Sequence, residues 1–250
     1  MKIALVQLDA KDTLWSIKFI PNLLDLVNGV DLVVFPECMP FDATRFIPID
    51  DAIKNLIEAG KECKSAFIAG GYVIEDNTTK RNAVFLVHKN KIKGTYFKRR
   101  PWQDEDIKPG SSVVCFQWDE FSCIPLICAD AADNPSQFGT KMMYEAIERG
   151  AGKNTPIVVC SYGSGLNTPD WQEPLQSWSS GCEAPVLICG VSGKGAAFKE
   201  DNGDEGFFGG GGSGVFWPER RQPYQKLERG IYIIETERRE ITIPKHFRLK

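Results

Sequence analysis

The sequence has few histidines and no paired cysteine motif. Only two histidines, His88 and His246, occur among 250 residues, and both lie far from any pair of cysteines. The eight cysteines form no Cys-x-x-Cys motif. Structural zinc sites need closely spaced cysteine and histidine ligands, and a cysteine–histidine hydrolase needs a histidine beside its nucleophile. The sequence therefore argues against a metal site and against a cysteine–histidine dyad.

Long apolar runs and a strong charge of one sign are also missing. No run of eighteen apolar residues occurs, so no transmembrane helix is predicted. The net charge of −3 gives no electrostatic reason to expect a nucleic-acid or membrane partner. The first residues, MKIALVQL, lack the apolar core and cleavage site of a signal peptide. Most cysteines lie in apolar runs, which is typical of reduced thiols. These features predict a cytoplasmic protein.

What the sequence does contain is an alternation of apolar strands with amphipathic stretches. Strands are predicted at residues 2–8, 30–36, 66–74, 82–88, 91–97, 112–117, 122–128, 156–161, 185–191, 213–217 and 230–236. Helices are predicted at residues 14–27, 50–63, 137–149 and 171–182. Pro21 either interrupts or begins the first of these helices. Two segments, 99–111 and 193–212, are predicted to be loops.

This order of elements favours two sheets stacked face to face with helices outside. Near-continuous apolar runs such as 31–35 and 156–160 suit strands that are covered on both faces. A chain of this length can bury a large core without disulfides. We therefore predict an α/β fold, a four-layer α-β-β-α sandwich, as a single domain over residues 1–250 with a charged tail at 237–250.

Three polar residues each follow an apolar strand. Glu37 follows the run 33–36, Lys98 follows Tyr96 and Phe97, and Cys128 follows the run 123–127. A carboxylate, an amine and a thiol that converge at one edge of a sheet can supply a base, a charge stabiliser and a nucleophile. The alternatives are a structural core cysteine, an exposed strand-end glutamate, and a solvated basic turn or nucleic-acid patch at 98–100.

The trio, in this chain order, resembles the nitrilase superfamily of carbon–nitrogen hydrolases. Segment 1–8 is similar to the family's opening strand, 81–84 (RNAV) to its YN(S/A) strand, and 212–216 (GSGVF) to its late GxS strand. The resemblance covers residues 1–236. It implies an α-β-β-α sandwich in which Glu37 is the base, Cys128 the nucleophile, and Lys98 with the Ala129 N–H stabilises the oxyanion. It implies no metal or organic cofactor.

A second carboxylate is implied by the resemblance to the amidase branch, where lysine is followed by Pro-Trp and then by a glutamate before Pro-Gly. Here Pro101-Trp102 and Pro109-Gly110 frame that segment. Counting back from Pro-Gly selects Glu105, whereas counting forward from Lys98 selects Asp106. We take Glu105 as a fourth catalytic residue.

The substrate pocket is harder to predict from the sequence. Tyr162 and Trp171, together with Asn167 and Phe207, are candidates to line it, although aromatic residues in such positions more often pack in the core. Segment 133–136 (DNPS) stands where the family usually shows an aromatic residue followed by Pro-Glu. This departure puts the substrate in question more than the reaction.

The predicted activity is cysteine-dependent hydrolysis of a linear amide bond through a thioester. Two alternatives stay open: a nitrilase that uses the same residues on a nitrile, and a catalytically silent binding or assembly protein on the same scaffold. Sandwiches of this family commonly pair through outer helices and the C-terminal tail. We therefore expect a homodimer, or a higher homo-oligomer, whose interface includes helix 137–149 and part of residues 237–250.

Overall fold

The computed structural model describes residues 1–8, 17–41, 45–102, 105–132, 137–162, 169–191, 197–199, 205–207, 212–219 and 230–243. The strands are β1 (Lys2–Gln7), β2 (Leu32–Val34), β3 (Ile47–Pro48), β4 (Ala66–Glu75), β5 (Thr79–His88), β6 (Lys91–Phe97), β7 (Phe116–Trp118), β8 (Phe121–Ile127), β9 (Ile157–Cys160), β10 (Val186–Cys189), β11 (Ala197–Lys199), β12 (Glu205–Phe207), β13 (Gly214–Phe216), β14 (Gly230–Glu235) and β15 (Glu240–Thr242). The helices are α1 (Ile20–Asp25), α2 (Ile49–Ala59), α3 (Gln137–Glu148) and α4 (Pro169–Gly181). Every predicted strand and helix is present with shifted ends.

The larger sheet runs β15-β14-β1-β2-β4-β5-β6, with β3 paired to β4. Its centre is parallel, because β1 pairs with β2 and β2 with β4 in the same direction. Parallel neighbours need a crossover connection, which α1 and α2 provide. The β5–β6 hairpin turns at Lys89 and Asn90, both at positive φ. That geometry suits a two-residue hairpin turn between the predicted strands 82–88 and 91–97.

The smaller sheet runs β13-β10-β9-β8-β7 within the described residues. Strands β8, β9 and β10 are parallel to one another. Helix α3 connects β8 to β9 and helix α4 connects β9 to β10. The two sheets thus repeat one plan, in which parallel strands are joined by helices on the outer face.

Strict alternation of side chains builds the layers. On β1, Ile3 and Leu5 join the core shared with the smaller sheet, whereas Ala4 and Val6 join a second core under α1 and α2. Strand β1 lies against β10, and β5 against β8, so the sheets face each other. Helices α3 and α4 cover the outer face of the smaller sheet through residues such as Met142. The predicted α-β-β-α sandwich is confirmed.

Four segments differ from the prediction, the first being the short strand β3, which was not predicted and pairs with β4. Pro21 lies in the first turn of α1, so it begins this helix, which is shorter than predicted. The predicted loop at 193–212 contains a short antiparallel hairpin, β11–β12. The predicted tail contributes β15, which pairs with β14 at the edge of the larger sheet, while residues 244–250 lie outside the described residues. Among the described helices, none has the length and apolar character required to cross a membrane.

Candidate active site

The three polar residues singled out in the sequence meet at one edge of the sandwich. Glu37 and Lys98 follow β2 and β6 of the larger sheet, and Cys128 follows β8 of the smaller sheet. All three side chains are buried. The carboxyl ends of parallel strands lie at one edge of a sheet, and ligands usually bind there. Because the two sheets are stacked, both contribute to the same site.

Glu37 is held by donors on both of its oxygens. Its Oε1 accepts hydrogen bonds from Lys98 Nζ at 3.0 Å and from Asn82 Nδ2 at 2.8 Å. Its Oε2 accepts one from the backbone N–H of Tyr162, which follows β9, at 3.0 Å. A buried carboxylate is tolerable only when it is paired and hydrogen-bonded in this way. Glu37 is therefore an oriented carboxylate rather than a solvent-exposed strand end.

The loop that carries Glu37 packs closely on β4. The Gly70 N–H donates to the Met39 carbonyl at 2.9 Å. A Cβ at Gly71 would lie 3.2 Å from the Cα of Cys38, which is closer than most real Cβ contacts. A side chain at Gly71 would therefore push on the residue next to Glu37, and glycine permits the close approach.

Lys98 bridges two carboxylates. Besides Glu37, its ammonium contacts Glu105 Oε2 at 2.8 Å. Burial disfavours the charged form, but the carboxylates of Glu37 and Glu105 outweigh it and hold the pKa of Lys98 well above its usual value. Lys98 is thus a fixed cation. The neighbouring Arg99 is also buried, so residues 98–100 are not a solvated basic turn.

Glu105, not Asp106, is the second carboxylate of the site. The Glu105 side chain is 8% exposed, whereas the Asp106 side chain is 82% exposed and pairs with Lys80. Glu105 accepts from Tyr72 OH at 2.9 Å and from Asn82 Nδ2 at 3.0 Å. Burial would raise the pKa of Glu105, but the Lys98 charge and the donated hydrogen bonds outweigh burial and lower it.

Cys128 occupies a strained turn. Its φ is +43°, a left-handed conformation that non-glycine residues rarely adopt and that clusters at functional sites. Residues Cys128–Asp130 form a single 3-10 turn directly after β8. Burial raises the pKa of the Cys128 thiol to about 12, and the charge of Glu37 adds to this, whereas Lys98 and the Ser161 hydroxyl lower it. The thiol is therefore neutral at pH 7 and needs a base in order to react.

Asp130 is the last residue of the same turn, and its carboxyl group accepts hydrogen bonds from both sheets. Its Oδ1 accepts from the backbone N–H groups of Arg99 at 3.0 Å and Arg100 at 2.8 Å. Its Oδ2 accepts from Tyr96 OH at 2.7 Å and from the Ile127 N–H at 3.1 Å. Burial raises the pKa of Asp130 to about 6, because these bonds and the Lys98 charge offset only part of the desolvation. The four hydrogen bonds donated to its two oxygens favour the ionised form.

The residues predicted to line the substrate pocket lie in different parts of the structure. Ala129 lies in the turn beside Cys128, and Tyr162 takes part through its backbone N–H. Trp171 is buried in the core shared by the sheets and the outer helices, so its role in substrate binding stays a prediction. Asn167 and the side chain of Phe207 lie outside the described residues.

Four residues of the site had no role assigned from the sequence: Tyr72, Asn82, Asp130 and Ser161. Asn82 donates to both Glu37 and Glu105, and it is a buried polar residue directly before the apolar run 83–87 of β5. Ser161 is fully buried after β9, and its hydroxyl has no hydrogen-bond partner of good geometry among the residues that the structure describes. A buried polar residue within or just after an apolar strand was the available signal, since burial without function is costly.

The arrangement can hold a neutral thiol, a carboxylate that can accept its proton, and a fixed ammonium beside both. Within the described part of the chain, no group of three or more His, Cys, Asp or Glu side chains is arranged to hold a metal ion. Proton transfer and nucleophilic attack are the chemistry that the side chains themselves offer.

The sequence matches no protein-family model and no curated protein sequence. The structure, in contrast, is similar to solved structures of an amidase from Nesterenkonia sp. The unmodified amidase superposes with a TM-score of 0.72 at 19% identity, covering 93% of this chain and 89% of that chain. A variant with alanine in place of a cysteine, in complex with butyramide, superposes with a TM-score of 0.72 at 19% identity, covering 93% of this chain and 89% of that chain.

A third structure is a glutamate-to-glutamine variant of the same amidase. It carries the acetamide moiety of fluoroacetamide covalently at its active-site cysteine, and it matches with a TM-score of 0.73 at 18% identity, covering 93% of this chain and 89% of that chain. That amidase is described as a member of the nitrilase superfamily. The likeness extends over both sheets and their helices, and the chain therefore has the fold of nitrilase-superfamily amidases.

Proposed function

We propose that this protein is a cysteine-dependent hydrolase of linear carbon–nitrogen amide bonds. The observation that carries the proposal is the convergence of Glu37, Lys98 and Cys128 from two different sheets in one buried site, with Lys98 Nζ 3.0 Å from Glu37 Oε1. A further support is that an amidase of the same fold binds butyramide in a variant that lacks a cysteine, and that its active-site cysteine is covalently bonded to the acetamide moiety of fluoroacetamide in another variant. A silent scaffold would have no need to bury two carboxylates and an ammonium together.

In the proposed reaction, Glu37 removes the Cys128 thiol proton as the sulfur attacks the amide carbonyl. The oxyanion of the tetrahedral intermediate is held by Lys98 and the Ala129 N–H. Collapse breaks the carbon–nitrogen bond, and Glu37 gives its proton to the departing amine or ammonia. Water then loses a proton to Glu37 and attacks the thioester, which releases the acid and restores the thiol. Glu105 keeps Lys98 in place throughout.

The experiment that tests this function compares amides with nitriles of the same acyl chain. Acetamide, propionamide and butyramide are expected to release ammonia, and the matched nitriles to react more slowly, because a nitrile must be attacked twice before ammonia leaves. Ammonia is measured by a coupled assay, with Cys128→Ala protein as the blank. Release from the nitriles alone would make the protein a nitrilase, and release from neither would favour a binding or assembly protein.

We propose further that the protein is cytoplasmic and acts on small molecules without a nucleic-acid or membrane partner. All eight cysteines lie in the described residues and none is in a disulfide. Free thiols in this number are usual in a reducing compartment.

We also propose a homodimer that uses the outer face of α3. On this helix Tyr144 is 64% exposed and Ile147 is 41% exposed, whereas Met142 and Ala146 are buried against the smaller sheet. The edge strand β15 adds an exposed Ile241 and the neighbouring Ile243. Light scattering at micromolar concentration is expected to give twice the 27.9 kDa mass of one chain. Tyr144→Glu should return the mass to that of one chain, and a single-chain mass for the unaltered protein would contradict the dimer.

A further inference from the structure

One buried carboxylate joins the two sheets at the place where the reacting groups meet. Asp130 belongs to the turn after β8 of the smaller sheet, and three of its four donors, Tyr96, Arg99 and Arg100, belong to β6 of the larger sheet or the segment directly after it. Lys98 lies in this same segment, and Cys128 lies in the same turn as Asp130. The carboxylate therefore links the backbone of Lys98 to the backbone of Cys128.

We propose that Asp130 is a positioning residue that sets the distance and orientation of Lys98 relative to the Cys128 sulfur. The inference rests on the proposed function, because it adds a residue to the machinery of that same site. Asp130 does not touch the reacting atoms. It acts through the two backbone segments that carry the oxyanion stabiliser and the nucleophile.

The chemistry of the donors explains why a carboxylate is required. Three of the four donors are backbone N–H groups, and the two buried ones, on Ile127 and Arg99, cannot be left without an acceptor at low cost, while that of Arg100 is partly buried. A carboxylate offers two oxygens and about four acceptor sites, whereas an amide offers a single acceptor oxygen. Asparagine would therefore turn its NH₂ group toward the donors of one of the two chain segments.

The Asp130 hydrogen bonds also help to hold the strained backbone conformation of Cys128. Cys128 is held at φ +43°, and such a conformation persists only where the surroundings fix it. The bond from the Ile127 N–H to Asp130 Oδ2 closes the turn across Cys128 and Ala129. Without it, we expect the turn to relax and the Ala129 N–H to leave the oxyanion position.

The charge that acts on Asp130 is that of Lys98, and the ion pair of Arg99 with Glu145, which lies on α3, acts on its donor Tyr96. Loss of the Asp130 charge would therefore act on the site in two separable ways. It would remove a negative charge near the site, which lowers the pKa of nearby acids, and it would loosen the geometry. The two effects have opposite signs on the reactivity of the Cys128 thiol at neutral pH, so they can be told apart.

The test uses Asp130→Asn and Tyr96→Phe, with Asp119→Asn as the matched control. Asp119 is an exposed carboxylate at the opposite end of β8, where it accepts from His88 and Lys89. Asp130→Asn should lower kcat on butyramide about 100-fold with KM changed less than about threefold, as expected for misplaced catalytic groups. Tyr96→Phe, which removes one donor and no charge, should lower kcat about tenfold. Asp119→Asn should leave kcat unchanged.

A second readout does not need amide turnover. The rate of Cys128 alkylation by iodoacetamide is measured from pH 6 to pH 10 by peptide mass spectrometry. Positioning predicts a slower rate over the whole range in both Asp130→Asn and Tyr96→Phe, whereas a pure charge effect predicts faster alkylation of Asp130→Asn at neutral pH and an unchanged rate in Tyr96→Phe. If the unaltered protein hydrolyses no amide, the proposed function fails, and the alkylation rates still decide the role of Asp130.

Unchanged kcat and an unchanged rate of Cys128 alkylation in a folded Asp130→Asn protein would overturn the inference. If Asp130→Asn does not fold, as judged by thermal denaturation, Tyr96→Phe decides in its place, and wild-type kcat and alkylation in that variant would contradict the proposal.

Discussion

Replacement of Cys128 by alanine is expected to abolish amide hydrolysis and to leave the fold intact. The Cys128 sulfur is the only protein atom that forms a covalent bond with the substrate in the proposed mechanism. The decrease in kcat should therefore approach the full effect of removing a nucleophile, about 10⁵-fold or more. The substitution removes one buried sulfur and keeps a residue with a Cβ at the strained φ, so the free energy of unfolding should fall by about 1 kcal/mol or less. Ammonia release and thermal denaturation measure the two quantities.

The matched control is Cys115→Ala, because Cys115 is a partly exposed cysteine remote from the proposed machinery. It should keep wild-type activity. Cys38 is the competing nucleophile, since Glu37, Lys98 and Glu105 all act on its pKa. Mass spectrometry of the wild-type protein with a slow substrate should place the acyl adduct on Cys128. Turnover that persists in a clean Cys128→Ala sample, or an adduct on Cys38, would contradict the assignment.

Replacement of Glu37 by glutamine should keep substrate binding and lower kcat about 10³-fold or more. General-base catalysis contributes on this scale, and the neutral Cys128 thiol depends on a base more than an ordinary cysteine would. The amide has nearly the same shape, but it cannot accept a proton. Its NH₂ group would also face a donor, either the Tyr162 N–H or the Lys98 and Asn82 groups. Steady-state kinetics on butyramide give the change in kcat and KM.

Glu37→Gln should also make the Cys128 thiol easier to ionise, although it lowers kcat. The Glu37 charge raises the pKa of Cys128, so its removal should lower that pKa toward the ordinary value of a thiol. The pH dependence of iodoacetamide alkylation should therefore move to lower pH in the variant that has lost turnover. Asp106→Asn, which removes an exposed carboxylate of the same loop as Glu105, is the control and should change neither quantity. A near-normal kcat in Glu37→Gln would mean that the base lies elsewhere, with Glu105 the next candidate.

The elements that could be predicted are those with a strong local pattern. The apolar runs of β4, β5 and β8 identified strands, and the helix predicted at 50–63 corresponds to α2. The short strands β3, β11, β12 and β15 were missed, because two or three residues carry no reliable periodicity and these strands exist only through their pairing partners. Strand β15 is an example: its exposed, charged sequence predicts a solvated tail, and only its pairing with β14 makes it a strand.

The sequence by itself determined which residues follow apolar strands, and hence that Glu37, Lys98 and Cys128 were candidates for one site. Local periodicity contains that information, because it reports which face of each element is buried. Only the tertiary structure decided between Glu105 and Asp106, since neighbouring acids in one loop differ in which of them the fold turns inward. It also revealed Asp130 as the link between two sheets. Contacts between segments distant in the chain depend on how the sheets stack, and stacking leaves no local signature in the sequence.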